Sequence, residues 1–383
     1  MEVQPFSIDI PDAVLDDLRR RLAHTRWPGE LPGAAWDYGT NLTYIQELVN
    51  YWQTRFDWRA QEKRLNALQH FKTSIAGQGI HFLREKGRGS HPLPLLITHG
   101  WPGSFFEMYK IMPLLADPGS HGGDPADAFD VVVPSMPGYG FSDPTTQRGV
   151  HVLKIADLWV QLMQGLGYER FGAQGGDWGA SVTNYLGFAY PQHLIGIHVT
   201  SITRPTPYLG TGSKALSAAE QAFLAQRQAW LEAEGGYSHI QGTKPQTLSY
   251  GLNDSPAGLA AWIVEKYPTW SDCNGDVESR FTKDELLTTI TIYWVTQTIN
   301  ASTRLYYETQ RQPWELKHNE RVTVPTGMAV FPKEISRPPR EWGERSFNIQ
   351  RWTEMPSGGH FAALEEPQRL VDDIRAFFRP LRS

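Results

Sequence analysis

The chain has 383 residues, and its 40% hydrophobic and 12% aromatic content is sufficient for a large packed core. Its net charge of −5 provides no general attraction to nucleic acid or to an anionic membrane, so we expect neither as a partner. The single Cys273 excludes an intrachain disulfide. No run approaches the roughly 20 apolar residues of a membrane span, and the N-terminus lacks a secretory signal, which predicts a cytoplasmic protein.

Residues 1–90 are predicted to form an N-terminal region of helices and a meandering loop. Apolar side chains recur at helical spacing after Pro11, and a second helical stripe runs over residues 45–52. Aromatic residues mixed with glycine and proline between these stripes, as in residues 27–29, indicate a loop. We expect this region to pack on the rest of the chain.

Residues 91–202 alternate between short apolar runs and helical patterns. A helix is predicted over residues 155–166. Four apolar runs bounded by turn residues are predicted to be buried strands, at residues 93–98, 130–133, 170–173 and 195–199. This alternation indicates an α/β fold with a mostly parallel central sheet flanked by helices.

Residues 203–320 interrupt the alternation with helices, and residues 321–383 resume it with a strand predicted at 322–331 and a terminal amphipathic helix. Two helix starts match the capping box, at residues 217–220 and 282–285. A helical block inserted into an α/β core is the arrangement expected of a cap over an active site. The sequence therefore predicts a core in two parts, with a cap between them.

The most informative motif is Gly-Gly-Asp-Trp-Gly at residues 175–179. Small residues two positions either side of a central nucleophile describe the sharp strand-to-helix elbow of an α/β-hydrolase. The central position holds Asp177, where esterases have serine. Because a carboxylate reacts with carbon through an alkyl ester, this substitution favours epoxide opening or halide displacement.

His360 lies in a glycine-rich loop before the terminal helix and is the predicted general base that activates water. The order nucleophile, acid, histidine is that of α/β-hydrolases. The acid that orients His360 is predicted to be Glu334, because it directly follows a predicted strand. The other candidates occupy a polar stretch, at Glu341, Glu344 and Glu354.

The sequence His-Gly-Trp-Pro-Gly at residues 99–103 directly follows the predicted strand 93–98. In α/β-hydrolases this position supplies one backbone N–H of the oxyanion hole. The predicted donors are the N–H groups of Trp101 and Trp178, while His99 is expected to fix the loop. We find no Walker loop and no complete GxGxxG pattern, so neither a cofactor nor a metal is predicted.

Taken together, these motifs resemble the epoxide hydrolases of the α/β-hydrolase superfamily, in particular the microsomal-type branch with its N-terminal epoxide hydrolase region. The resemblance runs nearly end to end and includes residues 26–28 and the acid segment 331–334. It implies two catalytic cap tyrosines. Residues 236–245 are similar to the segment that carries the first, Tyr237, and residues 304–308 to the segment that carries the second. The second is Tyr306, with Tyr307 as the alternative.

The implied function is conversion of an apolar or aromatic epoxide and water to a vicinal diol. Two phenols with a pKa of about 10 suit this reaction, because they can hydrogen-bond the ring oxygen and protonate the alkoxide that forms. The resemblance is compatible with epoxide detoxification and with natural-product pathways such as enediyne antibiotic biosynthesis. Animal members carry a leading membrane anchor, whereas this match begins almost at Met1, so a soluble, bacterial-type member is expected. The oligomeric state, including a homodimer, stays open.

Three other functions compete with this interpretation. A haloalkane dehalogenase would share the Asp-Trp pair, and its Trp178 indole could bind halide. The paired cap tyrosines and the long N-terminal region favour an epoxide hydrolase over it. A non-catalytic binding protein would not need every expected catalytic position to be filled. A serine esterase would need a G-x-S-x-G motif, which this sequence lacks.

Overall fold

The computed structural model describes residues 1–382 and is built on one sheet of nine strands. In chain order the strands are β1 (Val3–Phe6), β2 (His70–Ile75), β3 (Gln78–Glu85), β4 (Leu93–Thr98), β5 (Phe129–Pro134), β6 (Phe171–Gly175), β7 (Leu194–Val199), β8 (Val322–Val330) and β9 (Phe347–Glu354). Across the sheet the order is β1-β2-β3-β5-β4-β6-β7-β8-β9. Pairs from β5 to β9 are parallel, whereas β1 to β3 and the β3–β5 pair are antiparallel.

Helices flank the sheet and form a separate group between β7 and β8. Over residues 1–382 they are α1 (Asp12–Ala23), α2 (Leu42–Thr54), α3 (Trp58–Leu65), α4 (Ile111–Ala116), α5 (Val152–Gly165), α6 (Asp177–Ala189), α7 (Ala218–Glu234), α8 (Gly236–Thr243), α9 (Pro245–Leu252), α10 (Pro256–Val264), α11 (Lys266–Trp270), α12 (Lys283–Thr296), α13 (Ile299–Gln310), α14 (Arg340–Ser346), α15 (Ala362–Glu365) and α16 (Pro367–Phe378). None of these helices has the length and apolar character needed to cross a bilayer.

The predicted core strands are confirmed, and so is the α/β fold class with its mostly parallel sheet. Strand β4 has the predicted bounds, and β5, β6, β7 and β8 differ from theirs by one or two residues at an end. The side chains of β5 and β6 are buried throughout. A strand covered on both faces reads as a continuous apolar run, which is why these elements were visible in the sequence.

The N-terminal region is less helical than predicted, because β1, β2 and β3 all lie within residues 1–90. They extend the sheet as an antiparallel meander, with Phe71 opposite Phe82 and Thr73 opposite Ile80. The sheet therefore begins before residue 91. Strand β2 is polar at His70 and at residues 72–74 and therefore gives no apolar run from which a strand could be predicted.

Strand β9 is a second correction. Residues 347–354 lie in a stretch interpreted as polar, yet they pair in parallel with β8 along its length. Phe347 and Ile349 alternate with polar residues, the pattern of a partly exposed edge strand. His360 consequently follows β9, whereas the sequence placed it after a last strand at 322–331.

Both predicted capping boxes are confirmed. The Ser217 and Thr282 hydroxyls accept hydrogen bonds from the N–H groups of Glu220 and Glu285, and each glutamate accepts from the capping residue's own N–H. These reciprocal bonds satisfy backbone donors that the first helical turn leaves free. They fix the starts of α7 and α12.

Helices α7 to α13, which we call the cap, fall within the stretch 203–320 proposed for it. The N-terminal helices pack against the cap, α1 and α2 on α10 and α2 on α12. The Thr40 hydroxyl donates to the Ala261 carbonyl at 2.7 Å, and the Tyr51 hydroxyl donates to Asp284 at 2.9 Å. The N-terminal region therefore holds the cap against the sheet.

Candidate active site

The elbow, residues 175–179, joins the carboxyl end of β6 to the start of α6. Asp177 has φ +50°, a left-handed conformation that is strained for a residue with a side chain. A Cβ on Gly179 would overlap the Thr98 carbonyl oxygen, and one on Gly175 would overlap the backbone at residues 179–180. The glycines are therefore required by the close approach of three backbone segments.

The Asp177 carboxylate is held from two sides. Its Oδ1 accepts a hydrogen bond from the Trp101 N–H at 2.8 Å, and its Oδ2 lies 3.6 Å from His360 Nε2. Burial raises the pKa of Asp177, while the His360 charge and the N–H groups of Trp101 and Trp178 oppose the rise, leaving the pKa above its usual value. The same two N–H groups were predicted to form the oxyanion hole.

His360 links Asp177 to Glu334. Its Nδ1 lies 2.8 Å from Glu334 Oε1, and its backbone N–H donates to the Trp270 carbonyl at 2.8 Å. Burial lowers the pKa of His360, but the charge and hydrogen bond of Glu334, followed by the charge of Asp177, outweigh it and raise the pKa to about 9. With both carboxylates ionised, His360 is therefore an imidazolium at neutral pH.

The carboxylate beside His360 is Glu334, which is 4% exposed. Glu334 follows β8 by four residues, at the edge of the sheet where β6 ends. Its Oε1 also accepts from the Ile335 N–H at 2.7 Å, which fixes the carboxylate. The other candidate acids are exposed, at Glu341, Glu344 and Glu354.

The two predicted tyrosines lie in the cap directly over the elbow. Tyr237 on α8 stacks on the Trp101 ring at 5.3 Å with an interplanar angle of 10°. Tyr306 on α13 meets the Trp178 ring edge-on at 4.7 Å, and the two tyrosine rings are 6.0 Å apart. Burial raises the pKa of both phenols above the usual value, so both are protonated at neutral pH.

The neighbouring Tyr307 does not share this position. It is partly buried, lies under the Arg311 guanidinium at 3.2 Å, and lines a different cavity of about 360 Å³. The structure thus brings Tyr306 together with Asp177, and not Tyr307.

Glu107 belongs to the same site and was missed in the sequence. It lines a cavity of about 30 Å³ together with Asp177, His360, Gln174 and Thr200. Burial raises the pKa of Glu107 to about 8, against the lowering effect of the His360 charge. Its only sequence signal is an acid between aromatic and apolar residues just after the oxyanion loop. The cavity has room for water, which needs roughly 10–15 Å³ of this volume.

His99 supports the oxyanion loop, as predicted. Its Nδ1 lies 3.1 Å from the Gly100 carbonyl, and its Nε2 accepts from the Met136 N–H at 3.2 Å. Burial lowers the pKa of His99 to about 4, so the ring is neutral. Among residues 1–382, no three His, Cys, Asp or Glu side chains converge in a way that could hold a metal ion.

An elbow with an aspartate at the nucleophile position, next to a histidine and a glutamate and covered by two cap tyrosines, lies at the carboxyl edge of a mostly parallel sheet, as expected of an α/β-hydrolase. Comparison with protein-family models supports this class. Residues 3–108 match "Epoxide hydrolase N terminus", and residues 94–241 match "alpha/beta hydrolase fold".

Individual relatives within the α/β-hydrolases are epoxide hydrolases. Epoxide hydrolase 1 of Sus scrofa is 39% identical over 98% of this chain and 88% of its own length. The structure of Aspergillus niger epoxide hydrolase superposes with a TM-score of 0.87 at 31% identity, covering 100% of this chain and 97% of that one. Juvenile hormone epoxide hydrolase from the silkworm Bombyx mori gives 0.88 at 31%, covering 100% and 95%. The chain belongs to the epoxide hydrolase family, as the sequence motifs indicated.

Proposed function

We propose that this epoxide hydrolase works through a covalent ester on Asp177. The observation that carries the proposal is the line of groups Glu334, His360 and Asp177, with Tyr237 and Tyr306 facing the carboxylate from the cap. A partly buried carboxylate fixed at a strained elbow is suited to attack on carbon. The phenols are suited to receive the oxygen that leaves.

In the first step Asp177 Oδ2 attacks an epoxide carbon. Its electron pair forms the ester C–O bond, and the pair of the breaking ring bond moves to the epoxide oxygen. That oxygen accepts a hydrogen bond from each cap phenol and a proton from one of them, which becomes a phenolate. Raised phenol pKa values keep both donors protonated until the reaction begins.

In the second step water hydrolyses the ester. Esterification neutralises Asp177, so the pKa of His360 falls, and the imidazolium proton can return to the phenolate through solvent. Neutral His360 then takes a proton from water as the water attacks the ester carbon. The N–H groups of Trp101 and Trp178 stabilise the oxyanion. The tetrahedral intermediate then collapses, the C–O bond to the substrate breaks, and the leaving alkoxide takes the proton of the newly added hydroxyl. The diol leaves with one oxygen from Asp177, the water oxygen stays in the carboxylate, and His360 is again an imidazolium.

The substrate is proposed to be an apolar or aromatic epoxide. The aromatic rings of Trp101, Trp178 and Trp270 surround the two tyrosines, with centroid distances between 4.7 and 6.4 Å among them. Such walls bind apolar groups through buried area and ring contacts. We propose detoxification or antibiotic biosynthesis as its pathway, since a scavenging enzyme and a tailoring enzyme would open an epoxide by the same step.

The test is intact-protein mass spectrometry on His360→Gln, which lacks the base for the second step. Aryl and alkyl epoxides, polycyclic epoxides and haloalkanes are supplied separately, and Asp177→Asn in the same background is the control. We expect a mass increase equal to the whole epoxide, mapped to Asp177 and absent in the control. An adduct formed from haloalkanes only would contradict the proposal. So would diol formation at the parental rate by Asp177→Asn with His360 intact.

A further inference from the structure

Lys266, the first residue of α11, is a buried lysine that the reaction described so far does not use. It is 4% exposed, and its Nζ lies 4.4 Å from the centroid of the Tyr237 ring. Its carboxylate partner is Glu265, the adjacent residue. A buried ammonium is unfavourable unless it is compensated, so its position over this ring calls for an explanation.

Trp101 and Lys266 both contact the Tyr237 ring. Trp101 stacks on one side at 5.3 Å, and the Lys266 ammonium contacts a ring face. The ammonium also lies 6.0 Å from Trp262 and 5.8 Å from Trp270, so aromatic rings form much of its surroundings. These contacts restrict the ring of Tyr237 and so direct its hydroxyl.

We infer that Lys266 is a positioning residue that makes Tyr237 the proton donor in epoxide opening. This inference rests on the proposed covalent mechanism. A cation over an aromatic face is attracted by the ring's electrons. When the Tyr237 proton passes to the epoxide oxygen, the ring gains negative charge and the attraction grows. An interaction that strengthens in the transition state accelerates the step.

The other charges near Tyr237 act in the opposite direction. After burial, the negative charges of Asp177, Glu265 and Glu334 are what raise the pKa of this phenol. A further carboxylate, Glu234, lies near the Lys266 and Glu265 pair. Lys266 is the cation that lies over the Tyr237 ring in this carboxylate-rich surrounding.

Tyr306 has a different environment. Its ring meets Trp101 and Trp178 edge-on, at 5.9 and 4.7 Å. Within residues 1–382, no Lys or Arg is stacked on the Tyr306 ring. The two phenols therefore have different roles. Tyr237 transfers the proton to the epoxide oxygen, and Tyr306 donates a hydrogen bond to that oxygen.

The experiment measures the rate of ester formation by rapid quench, with styrene oxide as the probe and enzyme in excess. Lys266→Met keeps the length of the side chain and removes its charge, Lys266→Arg restores a cation, and Lys244→Met removes an exposed charge from the same cap. We expect ester formation about tenfold slower in Lys266→Met, near parental in Lys266→Arg and Lys244→Met, and ester hydrolysis unchanged.

A second arm separates this role from a structural one. In a Tyr237→Phe background, Lys266→Met should cause no further loss, whereas in Tyr306→Phe the loss of about tenfold should persist. Equal losses in both backgrounds, or a parallel fall in ester hydrolysis, would overturn the inference. If Lys266→Met does not fold, Lys266→Gln tests the same charge. Absence of any Asp177 ester in the His360→Gln variant would instead refute the proposed function, whereas an ester formed at parental rate in Lys266→Met refutes only this inference.

Discussion

Asp177 is confined by its backbone conformation and by the glycines around it. It has φ +50°, and it faces Gly100, where an added Cβ would overlap the Asp177 side chain itself. Gly179 opposes the carbonyl oxygen of Thr98 in the same way. Because backbone atoms cannot yield as a side-chain end can, Gly179 excludes even alanine, whereas an alanine at Gly100 would displace the Asp177 side chain.

The first prediction concerns Gly179→Ala. We expect a loss of about 3 kcal/mol or more in the free energy of unfolding, since the new methyl group would meet the Thr98 backbone. Gly251→Ala is the matched control, a helical glycine with nothing within 4 Å of the added Cβ. It should leave stability unchanged or raise it by up to about 1 kcal/mol. Urea unfolding measures both, and equal stabilities would contradict the packing argument.

The second prediction concerns pH and His360. Its folded pKa of about 9 lies above the unfolded value of about 6.5, so its stabilising contribution is complete below pH 6.5 and disappears as pH rises through 9. The raised pKa of Glu107 acts in the same direction. Parental stability should fall by up to about 3 kcal/mol over this range on account of His360.

The measurement is the free energy of unfolding at about pH 6 and about pH 9.5. His360→Gln should lose less stability over this interval than the parent, while the same substitution at the exposed His318 should leave the slope as it is. A His360→Gln slope equal to the parental one would mean that the carboxylates do not hold a proton on this ring.

The third prediction separates the adjacent tyrosines. Tyr306→Phe should slow ester formation about 100-fold, because it removes a hydrogen-bond donor to the leaving oxygen. Tyr307→Phe should stay within about twofold, since Tyr307 lies under Arg311 in another cavity. Rapid quench with an aryl epoxide measures both, and the reverse order would move the second donor to Tyr307.

Some residues of the site could be predicted from the sequence, and others could not. Asp177 and Glu334 could be found because short motifs tie them to strand ends. Tyr237 and Tyr306 lie far apart on two helices and were reached only through the family resemblance. Glu107 and Lys266 meet the site through packing between distant segments, which no local pattern records.

At the scale of elements, caps and strand ends position the site. Strand β4 delivers Trp101, β6 delivers Asp177, and β8 delivers Glu334, all at the carboxyl edge of the parallel part of the sheet. Side chains at this edge converge because parallel strands end on the same side. The cap is then anchored above them by the start of α12.

Glu285 is the anchor and carries the fourth prediction. It is 8% exposed, accepts from the Tyr109 hydroxyl at 2.5 Å, pairs with Lys110 at 2.7 Å and closes the capping box of α12. Glu285→Gln should cost about 2 kcal/mol in stability, because charged hydrogen bonds to the core are lost. Glu278→Gln, a more exposed glutamate of the cap, should change it by less than about 0.5 kcal/mol. Equal effects in urea unfolding would show that the anchor is not Glu285.

Elements with a strong local sequence pattern were predicted correctly, whereas strands that are stabilised mainly by pairing with other strands were not. Strand β4 and both capping boxes follow from apolar runs and from side-chain-to-backbone hydrogen bonds. Strands β2 and β9 are polar at several positions and are stabilised by pairing with β3 and β8. Their place in the sheet is a tertiary effect that outweighs local composition.

At the scale of the whole molecule, the N-terminal region, the sheet and the cap enclose the elbow together. The parallel sheet, the inserted helices and the family were all predictable, because strand and helix patterns alternate and the motifs lie at strand ends. No local sequence pattern indicates that the N-terminal helices lie close to the cap. Their position depends on contacts such as Tyr51 with Asp284, between residues far apart in the chain.

The covalent mechanism requires that the oxygen added to the epoxide carbon come from Asp177 and not directly from water. The measurement is a single turnover of an epoxide by excess parent enzyme in H₂¹⁸O, with mass analysis of the diol and of the peptide that contains Asp177. We expect an unlabelled diol in the first turnover and ¹⁸O in the Asp177 carboxylate. A labelled diol with an unlabelled Asp177 would show direct attack by water and contradict the covalent mechanism.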